Sequence, residues 1–287
     1  AVKKIIPVSP TTTDPIRYIF DSGLTIIDKL GGHYVYAWGG ATYEKIGAYW
    51  YKTLASGNTQ YYYSGAPSLN NQGIFTPPLE GTLAGTIIYY PAGTLTLTFD
   101  DYLGTITFSV AVKKIIPVSP TTTDPIRYTF ETSNLIIIEK GGNHYAYSWQ
   151  GNTYEKSGAY WYKTPQGLNR ATEYYSGNPV LTNQGIFTPP TNLVGRIIYY
   201  QPGELTLNLD YLGSIRFNVN VTEFIPVSPT DQEPHRYLMG EGSNQLIIIE
   251  KSTGHYAYSW GGATYEKSGA YWYKTPQGLN RATEYYS

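Results

Sequence analysis

Cysteine is absent and methionine occurs once in 287 residues. That excludes disulfide staples, thiolate nucleophiles and Cys-ligated metals, and leaves little for sulfur oxidation. Charge is scarce too: Asp, Glu, Lys and Arg make up 14% of the chain and sum to a net charge of -1. Phosphate binding needs a basic face, so this composition argues against a nucleic-acid partner. No apolar run approaches the roughly 18 residues of a membrane-spanning helix, which argues against membrane insertion. G-x-S-x-G, P-loop and dinucleotide fingerprints are also missing. With no convergent polar set, the expectation is a protein that is not an enzyme and holds no cofactor.

Tyrosine takes the place of these features, with 31 residues alongside 30 glycines. A surface of hydroxyls and amides solvates well across salt and pH and offers no strong field to steer a charged ligand. The hydrophobic content of 41% is enough for real cores,. The chain begins at Ala1 with neither an initiator Met nor a signal peptide. The expectation is therefore a processed protein or a piece of a longer one.

Internal repetition organises the sequence. AVKKIIPVSPTTTDPIRY at Ala1 to Tyr18 recurs unchanged at Ala111 to Tyr128, and a diverged copy starts at Val221. EKSGAYWYKTPQGLNRATEYYS likewise occurs at Glu155 to Ser176 and at Glu266 to Ser287. The period of about 110 residues divides the chain into repeats 1–110, 111–220 and an incomplete 221–287. The domain boundaries could instead lie near Pro7, Pro117 and Pro226.

The pattern inside each repeat is β throughout. Leu95, Leu97 and Phe99 alternate with threonines, and after a turn Ile106, Phe108 and Val110 share one face, which predicts a hairpin with one buried side,. Leu205, Leu207, Leu209, Ile215, Phe217 and Val219 repeat it. Further strands are predicted at IRYTF, NLIIIE, HYAYSW, NTYEK, GAYWYKT, ATEYY and VGRIIYY, separated by Gly-, Asn- and Pro-rich turns. Leu135 to Ile138 are apolar on both strand faces, so the second face needs a cover,. Nine or ten short strands per roughly 110 residues predict an all-β fold of tandem antiparallel β-sandwich (Ig-like) repeats. In architecture the whole chain resembles the tandem Ig-like repeats of microbial surface adhesins, stalks and filaments. The resemblance implies an extracellular or cell-surface location and an adhesive or structural role.

At the junctions, Ile106, Phe108, Val110 and Val112 continue one alternation across the repeat boundary, as do Ile215, Phe217, Val219 and Val221. Three readings fit: a stiff joint, a boundary shifted to the prolines, or a strand of one repeat completing its neighbour's sheet. The third repeat lacks equivalents of Gly177 to Asn220. A sandwich without them would expose core and unpaired edges, so a longer polypeptide or strands from a neighbouring chain are expected to supply them.

The candidate interaction face is aromatic. Tyr34, Tyr36 and Trp38 recur as Tyr145, Tyr147, Trp149 and as Tyr256, Tyr258, Trp260, each trio on one strand face,. Such rows serve either as packing pairs or as a platform for sugar rings or another sheet. Trp50, Trp161 and Trp272 are the expected core aromatics. Self-association is the favoured partnership, with a glycan ligand the alternative, in which repetition multiplies a modest affinity. His33, His144 and His255 are equivalent and read as structural, with no further ligands at metal spacing. His235, where the earlier repeats carry Ile16 and Ile126, reads as incidental. Asp100 and Asp101, beside Tyr102, read as turn residues. Glu44, Glu155 and Glu266, each followed by a Lys, read as exposed cross-strand ion pairs. Lys52, Lys163 and Lys274 are the persistent amines that an amide staple would use.

Overall fold

The computed structural model describes residues 1–100, 103–252 and 254–287. Strands dominate, all antiparallel, and the only helical elements among the described residues are two three-residue 3-10 turns at Glu80–Thr82 and Gly242–Asn244. The seven strands predicted in the second repeat are all present, from Arg127–Phe130 to Asn192–Tyr200.

The chain divides into two compact units, Ala1–Gln150 with Val180–Thr188, and Gly151–Pro179 with Pro189–Ser287. In the first unit the ladder follows chain order. Val2–Ile5 pairs with Ile16–Phe20, then Thr25–Asp28, Tyr34–Trp38, Ala41–Ile46, Tyr49–Leu54, Thr59–Tyr63 and Leu83–Tyr90. Leu83–Tyr90 then pairs with Val112–Pro117, which leads through Arg127–Phe130 and Ile136–Gly141 to His144–Trp149. The second unit repeats this order from Asn152–Ser157 to Glu284–Tyr286. An immunoglobulin-like sandwich joins strands distant in sequence through Greek-key crossovers. Here the main ladders meander, because short turns such as the two residues between Trp38 and Ala41 return each strand beside its predecessor,.

Short hairpins supply the second layer. The predicted hairpin of the first repeat is Thr96–Thr98 against Thr105–Thr107, with its outer threonines bonded in pairs, Thr96 to Thr107 at 2.8 Å and Thr98 to Thr105 at 3.1 Å. Its apolar face turns forward onto the following repeat: Phe99 meets Tyr145 with ring centroids 5.0 Å apart, and Phe108 meets Phe130 at 4.9 Å. In the second unit Leu205, Leu207 and Leu209 form one core with Val221, Tyr237, Met239, Ile248 and Tyr256. The effect is visible at one equivalent position. Val112 and Val221, beneath these hairpins, are 2% and 1% exposed, whereas Val2 is 54% exposed. Leu135 and Ile137 of the apolar run are buried, Ile136 and Ile138 half-buried.

At both junctions the strands on either side of the sequence boundary pair with one another. Tyr90 lies opposite Val112 and Gly85 opposite Pro117, and in the second unit Tyr200 opposite Val221 and Gly195 opposite Pro226. Ladders therefore continue through the sequence boundaries at 110 and 220, and the hairpins before those boundaries cover strands of the next repeat. The compact units do not coincide with the 1–110, 111–220 and 221–287 repeats.

Candidate functional site

The aromatic strand His144–Trp149 shows how the candidate face is used. Tyr145 and Tyr147 are buried, Trp149 half-buried. A second, shorter hairpin, Val180–Leu181 with Phe187–Thr188, covers them: Phe187 stacks on Tyr147 with centroids 5.0 Å apart and planes 3° from parallel. The first repeat has the same device in Ser68–Leu69 with Phe75–Thr76. There Phe75 stacks on Tyr36 at 5.4 Å and 14°, and also meets Tyr43 at 5.2 Å. Offset stacking of this kind adds about 0.5–1.5 kcal/mol to area burial.

The turn of this hairpin is seated by backbone as well as ring contacts. Ser133 Oγ donates to the Gly185 carbonyl at 2.6 Å, as Ser22 does to Gly73 at 2.6 Å. Gly185 has φ +73°, and a Cβ there would lie 2.5 Å from the Phe130 ring. Only glycine fits both constraints. Two of the three short hairpins of the first unit also meet, the Ser109 amide beside one donating to the Asn183 carbonyl of the other at 2.9 Å.

In the third repeat no described hairpin lies over the same rings. Tyr258 and Trp272 keep the geometry of Tyr36 and Trp50, at 5.8 Å and 57° against 5.9 Å and 54°. They line an open groove of about 640 Å³ with Trp260, Tyr265, Tyr286 and Leu212. Trp260 is 46% exposed, while Tyr256 is buried beneath the preceding hairpin. Burial first, then Asp210, push the Tyr258 hydroxyl up to about 12, and it has no hydrogen-bond partner. Of the remaining predicted face, Tyr34 is exposed and Trp38 and Tyr36 half-buried. Among the expected core aromatics Trp161 is buried, whereas Trp50 and Trp272 are half-buried.

The opposite ladder face packs against the strand Val221–Pro226 and the proline loop that follows it. Tyr174 meets Phe224 with centroids 5.9 Å apart, and Tyr160 donates to Glu233. Tyr174 is fully buried, whereas its equivalent Tyr285 is 68% exposed. Gly195 makes this packing possible, since a Cβ there would lie 2.5 Å from the Tyr174 hydroxyl and 2.6 Å from the Ile225 carbonyl oxygen,. Sequence reasoning passed over this glycine, although an isolated Gly inside an apolar strand signals a close approach.

The polar residues form tethers. His255 Nδ1 lies 2.8 Å from Asp210 Oδ2 and its Nε2 3.0 Å from Glu266 Oε1, and Asp210 also accepts from the Tyr256 amide at 3.1 Å. Asp210, a residue of the hairpin's turn, thus also fastens the hairpin to the strand beneath it. The Glu266 bond is the largest effect and raises the His255 pKa; burial opposes it, and the Asp210 bond adds to the rise. In the first repeat Glu44 takes His33 at 2.7 Å and Lys29 at 3.1 Å, so its cross-strand partners come from the neighbouring hairpin. His144 lies 3.2 Å from Asp100; Asp101 and Tyr102 are outside the described residues. Lys163 pairs with Glu173 at 2.8 Å and Lys274 with Glu284 at 3.0 Å, while Lys52 lies over the Tyr61 ring at 5.8 Å.

His235, read as incidental, sits between two carboxylates, with Nε2 2.6 Å from Glu223 and Nδ1 3.0 Å from Glu250. No group of three or more His, Cys, Asp or Glu that could hold a metal occurs among the described residues, and no helix among them is long and apolar enough to cross a membrane. No protein-family model, curated protein or solved structure matches this chain.

Proposed function

We propose that the protein is a non-catalytic structural and interaction protein of the cell exterior. In this reading it is a tandem array of sandwich-like repeats of about 110 residues, with meandering ladders in place of the expected Ig-like crossovers, that serves as a stalk, adhesin shaft or filament subunit and associates with further copies. The observation that carries it is the strand pairing across each repeat boundary, Gly85–Tyr90 with Val112–Pro117 and Gly195–Tyr200 with Val221–Pro226. A pull along such a chain meets a ladder of hydrogen bonds at the joint, where a linker would extend freely. The low charge and the absence of cysteine suit a shaft exposed to variable salt and oxidants,.

The aromatic strands fit this role better than that of a multivalent glycan platform. In two repeats Phe75 and Phe187 already stack on Tyr36 and Tyr147, which leaves little free ring surface for a sugar. Treating intact source cells with a membrane-impermeant amine label tests the location. Equal labelling of the protein before and after lysis supports the external reading, and labelling only after lysis contradicts it.

A further inference from the structure

A groove of about 710 Å³ opens at the second junction, inside the second unit. Its floor is a row across three adjacent strands, with Tyr199 opposite Thr222 and Thr222 opposite Leu238. The row continues through Ile247 to Ser259, the neighbour of Tyr258. Side chains alternate along a strand, so the groove lies on the face away from Tyr258 and Trp260. The Arg170 guanidinium lies over the Tyr199 ring at 5.1 Å, from the side of Glu173–Ser176, while Thr222 flanks the ring from the side of Val221–Pro226.

The groove traces to a change between repeats. At the first junction Lys113 stands opposite Tyr89 and sets its Nζ over the ring at 5.8 Å, with Thr129 on the next strand. At the second, Thr222 takes the place of Lys113 and is too short to cover the tyrosine, and Leu238 adds apolar floor in the place of Thr129.

The lining selects the ligand class. Half-buried Tyr199 and Leu238 offer apolar surface, while the side chains of Asn220 and Gln245 bring amides to the same groove. Exposed Arg170 and Glu241 add one charge of each sign at the rim, and neither makes an ion pair among the described residues. A charged ligand would meet a like charge as well as an unlike one. A wholly apolar ligand would cut the amides off from water without replacing the lost hydrogen bonds. A neutral ring with an apolar face and a polar edge satisfies both parts of the lining, and the groove has the size of a small-molecule site. We propose that it binds a neutral saccharide, with the C–H face of a pyranose ring against Tyr199 and Leu238 and its hydroxyls bonded to Asn220, Gln245, Arg170 and Glu241. Lys113 keeps the first junction from offering the same site.

The inference goes beyond the shaft reading and does not rest on it. The test screens the full chain by saturation-transfer NMR against cellotriose, mannotriose and chitotriose, with trigalacturonate and a trialanine amide as acidic and peptide probes. Whichever probe binds is then located by hydroxyl-radical footprinting with mass spectrometry. Transfer to a neutral trisaccharide, with protection of Tyr199 and Leu238, is the expected result. Thr222→Lys recreates the first junction and should abolish both signals, whereas Thr222→Ser, which leaves the groove open, should keep them. The footprint on the original chain stands even if Thr222→Lys fails to fold. Absence of transfer to every neutral trisaccharide overturns the proposal, and transfer to trigalacturonate or the peptide alone reassigns the groove and overturns it too. Protection confined to other residues, or binding that survives Thr222→Lys in a folded chain, does the same. None of these outcomes alters the pairing at the repeat junctions, so failure here leaves the shaft reading standing.

Discussion

His235 lies 2.6 Å from Glu223, and both residues are changes peculiar to the third repeat. The corresponding pair in the second repeat is Ile126 and Lys114, and Lys114 there faces Glu139 at 3.7 Å. Replacing that lysine by Glu223 would set two carboxylates, Glu223 and Glu250, side by side in a poorly solvated site. His235 resolves the conflict by standing between them.

The pair makes stability depend on pH. The hydrogen bond to Glu223 raises the His235 pKa above its ordinary 6.5, although burial opposes it. Burial works to raise the Glu223 carboxyl, but hydrogen bonds from His235 and Tyr200 outweigh it and hold it below 4.5. The histidine contribution is full below 6.5 and is lost as pH rises through the raised folded value,. The carboxylate contribution is full above 4.5 and is lost as pH falls through the lowered one,. Between these limits His235→Ile is expected to cost about 1.5–3 kcal/mol, the range for hydrogen bonds to charged groups. Adding Glu223→Lys should recover most of it by recreating the second repeat's arrangement. Denaturant titrations across pH check this, and additive losses in the double variant would show that the two changes are unrelated.

Phe187 is expected to hold the short hairpin in place. Phe187→Ala removes a buried ring stacked on Tyr147 and should cost about 3–5 kcal/mol, with new exposure of Tyr147. Phe187→Leu should retain most of the stability. Equal losses for both variants in chemical denaturation would remove the stacking from the account.

Tyr174 carries a buried hydroxyl without a hydrogen-bond partner. Tyr174→Phe is therefore expected to leave stability unchanged or to raise it, since an unsatisfied buried group costs about 1–3 kcal/mol. Gly195→Ala presses a methyl against the same ring and should cost about 1–3 kcal/mol, partly relieved in combination with Tyr174→Phe. Thermal melts of the three variants decide it, and a destabilised Tyr174→Phe would show that the hydroxyl is engaged.

Much of this was legible in the sequence. Period-two alternation located the hairpin from Leu95 to Phe108 and its buried face, and the same signal found the strands of the second repeat. Strand order was not legible, because alternation reports which face a residue occupies and says nothing about which strand lies beside it. The Tyr145 and Tyr147 row was identified as a face, but its cover came from N-Q-G-I-F, a stretch with two-residue strands too short to show a period. That motif recurs unchanged in two repeats with a turn glycine, the signal that could have found it. His235 looked incidental because its partner change, Lys114 to Glu223, lies on the adjacent strand and becomes visible only once the register is known.

The central claim is that the repeats are joined by a continuous ladder, and hydrogen exchange at the junctions tests it most directly. Amides in Val112–Pro117 and Val221–Pro226 are predicted to exchange as slowly as those of interior strands such as Tyr160–Pro165. Exchange at the rate of an unstructured linker in either junction, with the interior strands still protected, would contradict the account.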